Sequence, residues 1–271
     1  MRILFIGDVV GRTGRDALSK QLPIALEKLR PDVVIVNGEN AAHGIGITPK
    51  ICEEMYALGV HVITTGNHVW DQREIIPYIG RDPKLLRPLN FPKTAPGEGL
   101  CVHTTEGGQK IAVINLMARL FMDAMDDPFA KMEEVLQTLK MGVNVSAIFV
   151  DFHGEATSEK MALAQFLDGR VTAVVGTHTH LPTADAQIFN GGTAFQADAG
   201  MTADYNSVIG VRADISVTRF IRKMPGEKMV PAEGEGTMCG TFIMTDDKTG
   251  KAVFIDSVIL GPRLKNNMPA V

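Results

Sequence analysis

Apolar residues along the chain fall into two patterns. Short unbroken runs close on glycine and polar residues: RILFIGD (2–8), PDVVIVNGEN (31–40), VHVITTGNH (60–68), QKIAVINLM (109–117), VSAIFVDFH (145–153) and VTAVVGTHTH (171–180). An unbroken run of this length predicts a strand buried on both faces. Between them lie stretches with apolar residues at helical spacing: GRDALSKQLPIALEKLR (14–30), TPKICEEMYALG (48–59), PFAKMEEVLQTLK (128–140) and TSEKMALAQFLDG (157–169). Pro23 is expected to bend or split the first of these. Thr48 reads as the N-cap of the second, with Pro49 in the first turn and Gly59 as its stop. The fourth reads as a capped helix. Strands alternating with helices predict βαβ units and an open sheet covered on both faces. Near the end, CGTFIMTDDKTGKAVFIDSVIL (239–260) predicts two strands around a DDKTGK turn. This antiparallel pair is expected to join the later part of the sheet. No repeat, low-complexity stretch or linker interrupts the pattern, so a single layered domain over 1–271 is expected.

The polar residues that close the strands carry the chemistry. Five runs end in Gly7-Asp8, Gly38-Glu39-Asn40, Gly66-Asn67-His68, Asp151-Phe152-His153-Gly154 and Gly176-Thr177-His178-Thr179-His180. Ligands of α/β sheets bind outside the carboxyl ends of the strands. A lone Asp there is commonly a helix cap, a lone Asn turn chemistry, and a lone His a satisfied buried group. In an extended segment, however, His178 and His180 face the same side. Metal-competent residues also gather at five strand ends. Asp8, Glu39, Asn40, Asn67, His153, His178 and His180 exceed what one ion needs and suit two that share a carboxylate. Paired ions roughly 3.5–4 Å apart are suited to in-line displacement at phosphorus. Oxygen and imidazole donors without thiolate favour iron, manganese or zinc over copper or calcium.

Composition narrows the setting. The 271 residues carry a net charge of −4, with 45% hydrophobic and 21% charged residues, as in ordinary globular proteins. Nothing in that balance points to a membrane or to long nucleic acid. The three cysteines, Cys52, Cys101 and Cys239, form no CxxC pair and no disulfide framework. Without a signal peptide or a run of about 20 apolar residues, the expected location is the cytoplasm.

In their order along the chain, GDVVG, NGEN, GNHVWD, DFHG and GTHTH resemble the blocks of the calcineurin-like metallophosphoesterase superfamily. Val10 stands where that superfamily has a histidine, and Glu39 followed by Asn40 where it has an aspartate. With RILFIGDVVGRTGR and NGENAAHGIGIT, those departures resemble the YmdB-like branch. The resemblance implies a four-layer α/β/β/α sandwich of mixed sheets. It also implies two iron or manganese ions, with zinc admissible, and hydrolysis of 2′,3′- or 3′,5′-cyclic nucleotides by a metal-bridging hydroxide. Carried over, Asp8, Asn40 and His180 hold one ion, Asn67, His153 and His178 the other, and Glu39 bridges. His68 becomes the general acid. A phosphomonoesterase or protein phosphatase, and a regulatory binding protein that keeps the metal fold, are the alternatives; no insertion is large enough for a separate cap domain.

Other features are open to two readings. Arg12 and His43 are candidates for substrate contact or for exposed loop positions. Tyr205, in AGMTADYNSVIG (199–210), is a candidate for stacking on a base or for packing. His61 and His103 are assigned to structure. The basic run RFIRKMPGEK (219–228) is assigned to a solvated surface. A homo-oligomer is expected only on general frequency.

Overall fold

The computed structural model describes residues 1–224 and 226–271; Pro225, within the basic run, lies outside the described residues. The elements in chain order are β1 (Arg2–Ile6), α1 (Gly11–Leu29), β2 (Val33–Asn37), α2 (Pro49–Ala57), β3 (Val62–Thr64), α3 (Ile76–Ile79), β4 (Leu100–Thr104), β5 (Lys110–Met117) and α4 (Pro128–Thr138). They continue with β6 (Ala147–His153), α5 (Thr157–Phe166), β7 (Ala173–Thr177), β8 (Gln187–Ile188), β9 (Ala194–Gln196), α6 (Ala213–Arg222), β10 (Met238–Thr245) and β11 (Ala252–Leu260). Among the described residues, no helix is long and apolar enough to cross a membrane.

The strands form two mixed sheets, ordered β11-β10-β1-β2-β3 and β4-β5-β6-β7-β9-β8. Side chains alternate across a strand, so an apolar run feeds two cores. Leu4, Ile6, Val34 and Val36 pack against α1 and α2, while Ile114, Leu116, Ile148 and Val150 pack against α4 and α5. The alternate residues Ile3, Phe5, Val33 and Ile35 meet Ile111, Val113, Ala147 and Phe149 in a third core between the sheets. The Phe5 and Phe149 rings lie 5.0 Å apart there. The result is the four-layer α/β/β/α sandwich. The open sheet flanked by helices is corrected, for a physical reason: a doubly buried strand reads the same whether a helix or a second sheet covers it.

Three local expectations also change. The terminal hairpin joins the first sheet, because β10 pairs antiparallel with β1 along Arg2–Ile6. Pro23 does not split α1, which runs unbroken from Gly11 to Leu29. The helix expected to be capped at 157–169, α5, has no side-chain cap: Ala156 precedes it and makes no capping bond. Thr48 does cap α2, accepting from the Ile51 N–H, and Asp127 caps α4 by accepting from Phe129 N at 2.8 Å.

His61 and His103 couple the edges of the two sheets, with ring centroids 4.9 Å apart. His61 Nδ1 accepts the Val34 N–H at 3.0 Å, and His103 Nε2 is buried without a hydrogen-bond partner among the described residues. Burial lowers the pKa of both; Lys84 adds to this for each, their mutual repulsion adds for His61, and Glu106 opposes it there. Below the ordinary histidine value of about 6.5 the unfolded chain takes up protons that the folded pair refuses, so stability falls as pH drops. In His103→Phe, the decrease in Tm between pH 7.5 and pH 5.5 is therefore expected to be smaller than in the wild type. Equal decreases would remove the pair from the acid response.

Candidate metal centre at the strand ends

The layer between the sheets turns polar where the strands end. The alternation that places Val33 and Ile35, Ile111 and Val113, Phe149, and Ala173 and Val175 in this layer continues to Asn37, Asn115, Asp151, His153 and Thr177, all fully buried. Asp151 is the hub. Its Oδ2 accepts from Asn37 Nδ2 at 3.0 Å and Thr64 Oγ1 at 2.5 Å, and its Oδ1 from Thr177 Oγ1 at 2.7 Å. Burial pushes the Asp151 carboxyl up to about 7, against the pull of His153 and the two hydroxyls. Thr177 gives its one proton to Asp151, so it accepts from His153 Nδ1, 2.9 Å away. His153 is thereby held with Nδ1 protonated and Nε2 turned to the centre.

Around that Nε2 gather Asn67 Oδ1 at 2.9 Å, His178 Nδ1 at 3.1 Å and Glu39 Oε1 at 3.2 Å. Donor atoms of Glu39, His153 and His178 all lie within 4.8 Å of one another. Burial alone would raise the Glu39 pKa and lower that of His153; their attraction overrides it and sets them at about 2 and about 9. Burial, followed by repulsion from His153, depresses His178 to about 3. The cluster is short of protons: at most one, on His153 Nε2, faces three acceptors. Asp8 Oδ1, next to it, is buried with no hydrogen-bond partner among the described residues. A Cβ at Gly66 would run into Glu39 Oε2 and His153 Nε2. Unmatched lone pairs around a cradle with no room for a side chain fit a cation.

The remaining candidates adjoin this group across Glu39. Asp8 Oδ2 accepts the His178 N–H at 3.1 Å. Burial raises the Asp8 pKa, with His180 and His153 opposing. Asn40 Nδ2 lies 3.0 Å from Glu39 Oε1 and 3.3 Å from His180 Nε2. His180 Nδ1 donates to the Ile209 carbonyl at 2.8 Å, leaving Nε2 to face inward. Asn40 thus presents its amide nitrogen; an ion there requires the turn that exchanges the two amide ends.

The two GTHTH histidines converge for a different reason than expected. β7 ends at Thr177, and His178 and His180 have φ of 97° and 70°, a left-handed backbone that side chains disfavour. A buried ion pair holds it. Lys160 Nζ, fully buried, donates to the Thr177 carbonyl at 2.8 Å and to Asp198 Oδ2 at 3.1 Å. The same carboxylate oxygen accepts from Thr179 N at 2.9 Å and Thr179 Oγ1 at 2.7 Å. Sequence reasoning missed Lys160, Asp198, Asp151 and Thr177. It also missed Asp71, whose Oδ2 lies 2.6 Å from His68 Nδ1; the i,i+3 spacing in GNHVWD was the available signal. The His68 N–H donates to Glu39 Oε2 at 3.2 Å.

These residues floor a cavity of about 970 Å³. Glu39, Asn40, His43, His68, His178 and His180 line it. Arg12 instead lines a neighbouring groove and lies 3.6 Å from Asp16. Tyr205 does not line the cavity. Its ring packs on Val10, Met201 and Ala203, and its hydroxyl donates to the Met201 carbonyl at 2.9 Å, an arrangement that makes it a strut beneath the wall.

Residues 4–258 match the YmdB-like protein family. The chain is 45% identical over 260 residues to a 2′,3′-cyclic-nucleotide 2′-phosphodiesterase of Bacillus subtilis, covering 96% of this chain and 97% of the relative. A solved hypothetical protein of Thermus thermophilus superposes with TM-score 0.90 at 38% identity, covering 97% of this chain and 100% of that one. A solved phosphatase of Mycoplasma pneumoniae superposes with TM-score 0.89 at 32% identity, covering 96% and 93%.

Replacing Lys160 by Met leaves the Asp198 carboxylate buried without its counter-ion. The expected loss is about 3–5 kcal/mol of unfolding free energy in urea titration. An unchanged midpoint would mean that the left-handed loop holds without the pair.

Proposed function

The chain belongs to the YmdB-like family, and on that premise we propose that it is a metal-dependent phosphodiesterase acting on nucleoside 2′,3′-cyclic phosphates. The observation that carries the reading is the proton-poor cluster of buried Asp8, Glu39 and His153 with half-buried Asn67 and His178, beneath a cavity that also holds the His68–Asp71 pair. The substrate follows the name of the Bacillus relative.

In this reading Asn67, His153 and His178 hold one ion, Asp8, Asn40 and His180 the other, and Glu39 serves both. The ions are iron or manganese, whose preference for oxygen and imidazole suits the set. Bound there, they neutralise the phosphoryl oxygens and acidify a water. The chain's own residues do the rest. Asp151, through Thr177, keeps the His153 Nε2 lone pair pointed inward. Ile209 does the same for His180 by accepting from Nδ1. Asp71 holds the His68 Nδ1–H, so Nε2 is the nitrogen left to pass a proton to the departing ribose oxygen. Opening the ring at the 2′ bond leaves a nucleoside 3′-phosphate.

Elemental analysis is expected to find about two iron or manganese ions per chain, with activity on bis-p-nitrophenyl phosphate lost on chelation and restored by Mn²⁺. Metal-free protein that stays inactive with Mn²⁺ overturns the reading. Thr177→Val keeps the side-chain shape but frees the His153 ring, so competition with a chelator is expected to show about 10–100-fold weaker metal binding. Unchanged binding would make the Asp151–Thr177 relay irrelevant to the ions.

The acid role has its own signature. A ribose alkoxide needs a proton to leave, whereas p-nitrophenolate does not. His68→Gln should lower kcat on a 2′,3′-cyclic nucleotide by about 10²–10⁴-fold, and far less on bis-p-nitrophenyl phosphate. Equal losses on both would rule out proton donation to the leaving group.

A further inference from the structure

The described residues of the basic run RFIRKMPGEK are exposed, as expected, and two of its cations border the cavity. Arg219 on α6 and Lys228 beyond it line the wall opposite the cluster, among Ile209, Val211, Met229 and Val230. The charges of the two walls are arranged differently. On the cluster side, the carboxylates beside Glu39 lie against imidazoles: Asp71 is 2.6 Å from His68, and Glu155 is 3.4 Å from the neutral His178 ring. On the opposite side, neither cation has a carboxylate within ion-pair distance among the described residues; Arg219 Nη1 contacts only the uncharged Met229 sulfur, at 2.8 Å. Arg212, on the same segment but outside the cavity, is paired with Asp214 at 2.5 Å. A guanidinium and an ammonium left unmatched in a cavity suit a phosphate.

The diester being cleaved does not need them, since its charge is met at the other wall. The cavity's volume, about 970 Å³, lies at the upper end of the roughly 300–1,000 Å³ usual for ligand pockets. A nucleoside 2′,3′-cyclic phosphate holds its reacting group at one edge of the ribose and its 5′ oxygen at the other. With the cyclic phosphate over Glu39 and the base against the apolar wall, the 5′ substituent is the position left to carry an anion. Resting on the diesterase reading above, we infer that Arg219 and Lys228 form a second phosphate subsite, and that the preferred substrate is a nucleoside 2′,3′-cyclic phosphate carrying a further phosphate on its 5′ oxygen. That is the chemistry of the cyclic end of a short ribonucleotide.

The test uses the full chain with its metal and two compounds that differ by one phosphate: adenosine 2′,3′-cyclic phosphate and its 5′-phosphorylated form. Wild-type kcat/KM is expected to favour the 5′-phosphorylated compound by about tenfold or more, the size of a charge-assisted hydrogen bond, through KM. Added KCl should erode that preference. In Arg219→Gln/Lys228→Gln the ratio should fall toward one. A wild-type ratio near one, or a ratio that survives the double change, overturns the subsite. If wild-type protein turns over neither compound, the diesterase reading is what has failed. Calorimetric binding of the 5′-phosphorylated compound then decides the subsite: a tenfold loss in the double variant supports it, and equal affinity overturns it.

Discussion

Strands covered by a helix layer on one face and by a second sheet on the other have no water-facing side. A polar group on them must find protein partners or sit where the strand ends. That constraint shapes the molecule. From Ile3 to Val175 the layer between the sheets is apolar, and within one or two residues of the strand ends it becomes a hydrogen-bonded network around Asp151. Three donors meet the Asp151 carboxylate, and Lys160 meets a carboxylate and a carbonyl. Satisfied polar networks of this kind rigidify a core. With Asp151 and Lys160 satisfied, the excess of acceptors collects at one spot, where Asp8, Glu39, Asn67, His153 and His178 come together with too few protons.

The elements themselves were legible because local patterns specify them. Unbroken apolar runs gave the strands, and Thr48-Pro49 marked the start of α2. The partition into two sheets was not legible from the runs. It depends on which strands pair across long separations, and β10 reaches back more than 230 positions to β1. The resemblance to a known superfamily supplied the layers that periodicity could not.

The candidate site divides in the same way. Strand-end residues were readable because glycine followed by Asp, Asn or His is a local signature. The residues that orient them were not. Asp151 and Thr177 stood among the strand-end residues without a role until pairing set them beside each other, and nothing in the helical spacing around Lys160 marks it as buried. The His-x-His spacing drew attention to the right pair by the wrong geometry: alternation in a strand was invoked, but the backbone has already left the strand. Tyr205 takes the packing one of its two readings, and the described residues of RFIRKMPGEK are exposed as expected; what the run could not disclose is that two of its cations border the cavity.

The two departures from the wider superfamily fit together physically. Val10, where a histidine would stand, is 4% exposed, packs on Met201 and Ala203, and offers no donor atom. Asn40, one residue beyond Glu39, brings an amide to within 3.3 Å of His180 on that side of the cluster. A carboxamide replaces an imidazole without adding charge, so Asp8 and Glu39 remain the anions of that half of the cluster. The main-chain tie that accompanies this exchange is Gly11 N donating to the Asn40 carbonyl at 2.8 Å, which fixes the segment after β2 to the start of α1. Restoring a histidine at Val10 alone would therefore press an imidazole against Met201 and Ala203. Val10 and Asn40 thus flank one backbone tie, which holds the end of β1 and the end of β2 at a fixed spacing beside the cluster.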